Sequence, residues 1–217
     1  MRFGPVAPPL RSARKALAKA LGASGGRAKT VALVGALTLA GCVSIGPKVP
    51  ERLYTLTPLA IAPVGTDTTG EPSEGLAVLE PTAVQRLTVT RVPVMVDDAS
   101  LAYLKDAIWV ERPARLFQRL LAETIRARGN RLVLANDELQ YAAETKLSGQ
   151  LVEMGYDAPT SSAVVRYDAV LQLSDGRVLT RRFEHAVPGL APEAEVVGPA
   201  LNQAANQVAA DVADWVG

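Results

Sequence analysis

An apolar run of 11 residues, 31–41, ends at the sole cysteine of this 217-residue chain and follows a basic segment. The first 41 residues hold seven arginine and lysine side chains and no acidic one. A basic start followed by a short apolar run is typical of an export signal, which is removed before the mature chain folds. A membrane-spanning helix needs about 20 apolar residues, so this run is too short to remain as a span. We therefore expect residues 1–41 to be a signal peptide and the other 176 residues to fold as one domain.

The end of the apolar run, Leu39-Ala40-Gly41-Cys42, matches the lipobox of bacterial lipoprotein signals. In such a signal a branched residue stands three before the cysteine and small residues fill the two positions between. The cysteine sulfur accepts a diacylglycerol, and the chain is then cleaved on its N-terminal side. The sequence thus predicts a lipidated Cys42, with Leu39, Ala40 and Gly41 as the cleavage motif. The alternative is a cysteine that ends an apolar run by coincidence.

Acyl chains on Cys42 would anchor the mature protein without a spanning helix, because each buried methylene contributes about 0.8 kcal/mol. By known sorting rules, an aspartate after the cysteine retains a lipoprotein on the inner membrane. Here that residue is Val43, which favours the periplasmic face of the outer membrane. Residues 42–51 contain two prolines and are predicted to be a tether, and residues 52–217 to be the folded domain.

Composition excludes several classes of function. Without the seven basic groups of the signal, 16 basic side chains remain against 22 acidic ones, a net charge of −6. Nucleic-acid binding needs clustered lysine and arginine, so no nucleic-acid partner is expected. One histidine and one cysteine are too few for most zinc sites, and neither a metal nor another cofactor is expected. No catalytic residue is assigned, since His185 has no evident nucleophile beside it and is more simply a packed histidine.

The spacing of apolar residues predicts both helices and strands. Residues 113–128 and a C-terminal segment ending at Val216 have the helical spacing, and Gly129 ends the first helix. Segments 145–156, 165–173 and 178–187 alternate apolar and polar residues, and Asp175-Gly176 predicts a hairpin between the last two. Shorter strands are predicted at 52–56, 84–92, 108–110 and 131–135, with a loop over 58–81.

Two helices with one apolar stripe each need a sheet face to cover. The sequence therefore predicts a two-layer single α/β domain, with a mixed, mostly antiparallel sheet and both amphipathic helices on one face. Pro93 cannot donate a hydrogen bond to a neighbouring strand, which predicts a bulge or a sheet edge at that point.

Acidic and aromatic side chains lie close together between Asp97 and Trp109. Asp98, Tyr103 and Trp109 are candidates for contact with a partner, and core packing is the alternative for the aromatic residues. The adjacent carboxylates Asp97 and Asp98 suit a turn or a helix cap.

Several segments resemble the ABC-type transport auxiliary lipoprotein family, the lipoprotein partners of MCE-type lipid transporters. These are Arg91-Val92-Pro93-Val94, Leu101, Tyr103, Ile108-Trp109, Arg112 to Leu121 and Val212 to Val216. The resemblance extends from about Arg52 to Val216 and adds to the lipobox. At Asp98-Ala99-Ser100-Leu101 the chain departs from the family pattern, which often has an acid followed by an arginine before the aliphatic residue.

The resemblance implies a non-catalytic lipoprotein on the outer membrane. Its partners would be an MCE-domain protein, a permease and an ATPase that together move lipids or other hydrophobic compounds across the periplasm, and a homo-oligomer is compatible with it. Two alternatives remain. A lipoprotein regulator or scaffold of the peptidoglycan machinery would share the anchor and a small α/β domain. A hydrolase would need an activated nucleophile, which Asp97 or Asp98 would have to assist.

Overall fold

The computed structural model describes residues 52–65, 67–129, 131–135 and 140–217. The predicted lipidation site Cys42 and the motif Leu39-Ala40-Gly41 lie outside these ranges. The described residues form one mixed sheet of eight strands and two α-helices. The strands are β1 (Leu76–Val78), β2 (Thr82–Ala83), β3 (Arg91–Met95), β4 (Leu101–Ile108), β5 (Val133–Leu134), β6 (Thr145–Asp157), β7 (Ser162–Gln172) and β8 (Val178–Val187), and the helices are α1 (Pro113–Ala127) and α2 (Ala194–Val216).

The long strand β6 organises the sheet. One of its edges pairs antiparallel with β7, and β7 pairs antiparallel with β8. Its other edge pairs in succession with β1, β2 and β3, all parallel to it. The strand β5 then lies beside β1, and β4 lies antiparallel beside β3. The sheet is therefore mixed with its longest ladders antiparallel, which confirms the predicted fold class.

Both helices cover the same face of this sheet. The ring of Tyr167 on β7 contacts Phe117 of α1, with centroids 5.2 Å apart. Its cross-strand partner Phe183 on β8 contacts Trp215 of α2, with centroids 5.6 Å apart. Directly paired residues point to the same face of a sheet, so α1 and α2 share one layer. The predicted two-layer arrangement is confirmed.

The predicted loop over residues 58–81 is wrong in its C-terminal part. It contains a 3-10 turn, Pro72–Glu74, and the strand β1, which lies between β5 and β6. All three residues of β1 are buried. A strand that is buried on both faces shows no alternation of apolar and polar residues, so its sequence does not distinguish it from other short apolar runs.

The short strands near the N-terminal half of the domain also differ from the prediction. Segment 84–92 begins with a 3-10 turn, Gln85–Leu87, and its strand starts only at Arg91. Of the β candidate at 108–110, Ile108 ends the longer strand β4 and Trp109 forms only an isolated bridge to Tyr54. The bulge predicted at Pro93 is confirmed, because the register between β3 and β4 shifts between Arg91 and Pro93.

Residues 53–65, here called the strap, leave the sheet and cross the two helices. The predicted strand at 52–56 is reduced to one bridge between Tyr54 and Trp109. Beyond it, the backbone N–H groups of Thr57 and Leu59 donate to the side-chain oxygens of Asn202 and Asn206, each at 2.8 Å. Amide side chains of α2 therefore replace a neighbouring strand.

Asn206 holds the strap most extensively. It is 5% exposed, and its amide nitrogen donates to the carbonyl of Thr57 at 2.9 Å while its oxygen accepts from Leu59. Substitution Asn206→Ala leaves these backbone groups without their partner, and we expect a loss of about 1–3 kcal/mol in the free energy of unfolding. Gln207→Ala, an exposed change on the next residue of α2, should cost less than about 0.5 kcal/mol. Urea denaturation of both variants checks this, and equal costs would contradict the clamping role of Asn206.

The face of the sheet opposite the helices carries cross-strand ion pairs. Arg182 of β8 makes two hydrogen bonds to the carboxylate of Asp168 on β7, at 2.6 and 2.7 Å. Beside it, Arg166 pairs with Glu184 across the same two strands. We call this the outer face of the sheet. The hydrogen bond from Arg182 holds the pKa of Asp168 below its usual range.

This lowered pKa gives the domain a small dependence on pH. A carboxyl group whose pKa is lower in the folded state stabilises the fold above its unfolded pKa of about 4, and this stabilisation is lost as pH falls through the folded pKa. Both side chains are partly exposed to solvent, so the effect should stay below about 1 kcal/mol. Arg182→Ala should therefore lose less stability than the unsubstituted protein when urea unfolding at neutral pH is compared with unfolding below about pH 3. An unchanged pH dependence would contradict this assignment.

Candidate partner-docking groove

The hairpin between β3 and β4 ends in a tight turn at residues 96–100. The N–H of Ala99 donates to the Asp97 carboxylate at 2.9 Å, and the N–H of Val96 donates to the Ser100 carbonyl at 2.9 Å. The hydrogen bond from the Ala99 backbone lowers the pKa of Asp97, with further help from Ser100. The turn role predicted for this acidic pair is confirmed, and Asp98 lies exposed at the tip.

A groove of about 480 Å³ lies between this hairpin and the 3-10 turn Gln85–Leu87. Its apolar lining comes from Val89, Met95, Leu101 and Tyr103. Val89 and Leu101 are 41% and 45% exposed, although both are aliphatic. Exposed apolar side chains that gather around a concavity are a mark of interaction sites, whereas single exposed ones are ordinary.

Two arginines contact the residues of this region, and only Arg86 lines the groove itself. The guanidinium of Arg91 lies 4.6 Å from the centroid of the Tyr103 ring, where the ring quadrupole attracts a cation. Arg86 donates to the carbonyl of Val152 at 2.7 Å and pairs with Glu153 at 2.6 Å. Both side chains of this last pair are largely buried. The groove thus combines an apolar lining with one arginine, Arg86, whose position is already set.

Strand register places the groove on the outer face of the sheet. Glu153, which holds Arg86, is paired with Arg166 of β7. Arg166 precedes Tyr167, which points to the helices, and successive residues of a strand point to opposite faces. The groove and the helices therefore lie on opposite sides of the sheet.

The structure separates the three residues predicted as partner contacts. Asp98 and Tyr103 line the same groove. Trp109 does not, because it is 1% exposed and its ring packs against Tyr54, with centroids 6.3 Å apart. Trp109 therefore presents no surface to a partner, and the core-packing alternative describes it. Its indole N–H has no hydrogen-bond partner within the described chain.

Sequence patterns did not assign the other residues of the groove, among them Arg86, Val89 and Met95, to a contact surface. Val89 falls in a segment predicted as a strand, and the 3-10 turn that carries Arg86 has no distinct sequence signal. Both are brought to the hairpin by the parallel pairing of β3 with β6. The bulky exposed valine in an otherwise polar stretch, Thr88-Val89-Thr90, is the one local sign of this surface.

A larger polar cleft, of about 850 Å³, lies between α1 and the strap. Its arginines already have acidic partners in the chain. Arg115 and Arg119 both pair with Glu111, and Arg126 pairs with Glu123 at 2.6 Å. The lining of this cleft is mostly polar, so it is a weaker candidate for an apolar contact surface than the groove.

His185, the single histidine of the chain, lies half-buried between the two layers. Its Nε2 is 2.9 Å from a carboxylate oxygen of Asp211, which links β8 to α2. In the part of the chain that the structure describes, no three His, Cys, Asp or Glu side chains are grouped to hold a metal ion. Over the same residues, no helix is both long and apolar enough to cross a bilayer.

Comparison with solved structures defines the class of domain. Crystal structures of protein XCC0632 from Xanthomonas campestris, of the DUF330 family, and of an uncharacterized protein have the same two-layer fold. The first has a TM-score of 0.63 and 22% sequence identity, covering 76% of this chain and 94% of that one. The second has a TM-score of 0.56 and 12% identity, covering 76% of this chain and 100% of that one. A comparison with curated protein sequences finds no significant match.

Residues 54–213 match the family model of the ABC-type transport auxiliary lipoprotein component. The match covers most of the domain, and the chain belongs to this family. The resemblance noted in the sequence is thereby confirmed. The family is one of auxiliary lipoproteins that serve ABC-type transport, and this defines the general role of the protein.

Proposed function

We propose that this protein is the outer-membrane lipoprotein of an MCE-type ABC transporter. Acyl chains on Cys42 hold it to the periplasmic face of the outer membrane, as the lipobox and Val43 favour. A separate permease and ATPase drive transport, and the lipoprotein fixes the far end of the path. It performs no chemistry on the substrate.

The need for such a fixed end follows from the cost of moving apolar compounds through water. Exposing apolar surface costs about 25 cal/mol per Å², so a lipid does not cross an aqueous periplasm freely. A continuous sheltered path needs attachment at both membranes. An MCE-domain protein that extends from the inner membrane would meet the lipoprotein at the outer one.

The observation that carries the proposal is the family match over residues 54–213, joined to the exposed groove on the outer face. The groove offers Leu101 and Tyr103 as apolar contacts, beside Arg86, which is fixed by its ion pair with Glu153. Interfaces commonly place an apolar centre beside a few fixed charged groups. We propose that the MCE-domain protein docks at this groove.

Photo-crosslinking in intact envelopes tests both the partner and the surface. A photoreactive amino acid at Leu101, in the groove, is compared with one at Val178, an exposed residue of the far edge strand β8. The proposal expects a crosslink to an MCE-domain protein from position 101 and little or none from position 178. A crosslink from 101 to a peptidoglycan synthase alone would favour the cell-wall alternative. Equal crosslinking from both positions would remove the groove as the docking surface.

A further inference from the structure

The strap carries three large apolar side chains that are mostly exposed to solvent. Leu59, Ile61 and Val64 are 79%, 64% and 103% exposed, more than any other leucine, isoleucine or valine in the described part of the chain. Residues 53–66 contain no charged side chain. A contiguous exposed segment that is both apolar and uncharged is a candidate interaction surface.

Hydrogen bonds to the helices fix which way the strap faces. The N–H groups of Thr57 and Leu59 donate to Asn202 and Asn206, and the N–H of Ala62 donates to the Glu123 carboxylate at 2.9 Å. These bonds hold the backbone of the strap against α2 and α1. Leu56 is buried beneath it, at 8% exposure, while Leu59 and Ile61 remain outside. The strap therefore presents its apolar side chains to its surroundings as a built feature of the fold.

The length of the tether limits how far the strap can lie from the membrane that holds the predicted acyl anchor. Ten residues, 42–51, separate the predicted acyl anchor from the start of the described domain. Fully extended, they span at most about 35 Å. An acylated Cys42 would therefore keep the start of the described domain, and the strap that follows it, within about that distance of the bilayer. Such tethering raises the effective concentration of lipid around the strap without any further contact.

We propose that the strap lies on the membrane that carries the anchor, with Leu59, Ile61 and Val64 inserted among the lipids. The proposal rests on the lipidation of Cys42 in the proposed function. Uncharged aliphatic side chains suit the boundary between headgroups and acyl chains, where a charged group would be costly. Acyl chains and strap then form two attachments, which hold the domain in one orientation.

This orientation has a consequence for the docking groove. The strap crosses the helices, which cover one face of the sheet, and the groove lies on the outer face. A strap on the membrane therefore turns the groove toward the periplasm. The surface proposed for the MCE-domain protein becomes accessible to a partner that arrives from the inner membrane.

A fluorescent probe on the full lipoprotein tests the contact. The protein is reconstituted in vesicles of phosphatidylethanolamine and phosphatidylglycerol that include a spin-labelled lipid. A nitrobenzoxadiazole probe is attached at Ile61→Cys, and at Val178→Cys as the control on the far sheet edge. We expect blue-shifted emission and strong quenching by the spin label at position 61, and the emission of a probe in water at position 178. Equal, weak quenching at both positions would overturn the proposal, and a blue shift at 61 without quenching would show that protein covers the strap instead.

Two further measurements distinguish membrane contact by the strap from anchoring by Cys42. A mass spectrum of the same preparation reports the acyl chains on Cys42. Weak quenching at 61 with the acyl chains present rejects the strap contact alone, whereas an unmodified Cys42 rejects the proposed anchoring as well. A probe at Ala60→Cys should lose its quenching when Leu59, Ile61 and Val64 are all changed to serine. It should keep its quenching when the exposed residues Val89, Val96 and Leu101 are changed in the same way.

Discussion

Gly149→Ala should unfold a large part of the population, with a loss of about 3–5 kcal/mol in the free energy of unfolding. Gly149 lies in β6 with a φ of 152°, a backbone conformation that residues with a Cβ rarely adopt. A Cβ at this position would lie 2.1 Å from the carbonyl oxygen of Asp168 and 2.8 Å from the hydroxyl of Tyr167. Neither group moves easily, because Asp168 belongs to the paired strand and the Tyr167 hydroxyl donates to the Ser148 carbonyl at 2.7 Å.

A matched glycine separates crowding from backbone strain. Gly176 in the β7–β8 turn has a φ of 84°, but a Cβ there would meet no atom within 4 Å. Gly176→Ala should therefore cost only the conformational strain, about 1–2 kcal/mol. Denaturant unfolding of the two variants measures the difference. Similar losses in the free energy of unfolding would mean that β6 and β7 can separate at Gly149, which would contradict their close packing.

Cys42→Ser should remove the protein from the outer-membrane fraction. Serine has no thiol to form the thioether with diacylglycerol, so neither acylation nor the cleavage that follows it can occur. Two or three acyl chains bind a membrane effectively permanently, whereas the described domain has no helix that could span one. Fractionation of the envelope and a mass spectrum of the N-terminal peptide measure the change. Outer-membrane recovery equal to that of the unsubstituted protein would contradict the anchor.

Val43→Asp serves as the control for this loss. It leaves the cysteine intact, so the acyl mass on Cys42 should remain while the protein shifts to the inner membrane. Loss of acylation in this variant would mean that residue 43 takes part in lipidation itself. An acylated protein that stays on the outer membrane would remove the reason for placing it there.

Local patterns predicted the parts of the fold that carry their own periodicity. The apolar stripes of α1 and α2 and the alternation in β6, β7 and β8 each extend over ten residues or more. Asp175-Gly176 marked the hairpin, and Gly176 has the positive φ that such a turn requires. From these elements alone the two layers follow, because each apolar stripe has to be buried against the sheet.

Other parts depend on partners that are distant in the sequence. The strap is held by Asn202 and Asn206, which lie more than 140 residues away in the sequence. No sequence pattern near residue 57 predicts these hydrogen bonds. Strand β1 has three residues and exists because β5 and β6 lie on either side of it. The groove also depends on contacts between distant segments, because the turn that carries Arg86 meets the β3–β4 hairpin only in the folded sheet. Asp98 and Tyr103 were within reach of sequence reasoning because both lie on that hairpin.

Co-purification of the native protein tests most directly whether this lipoprotein serves an MCE-type transporter. The unsubstituted lipoprotein is extracted from envelopes in mild detergent and captured through a C-terminal tag, and its partners are identified by mass spectrometry. We expect an MCE-domain protein together with a permease and an ATPase of the ABC type. Recovery of a peptidoglycan synthase with none of these transporter subunits would contradict the claim.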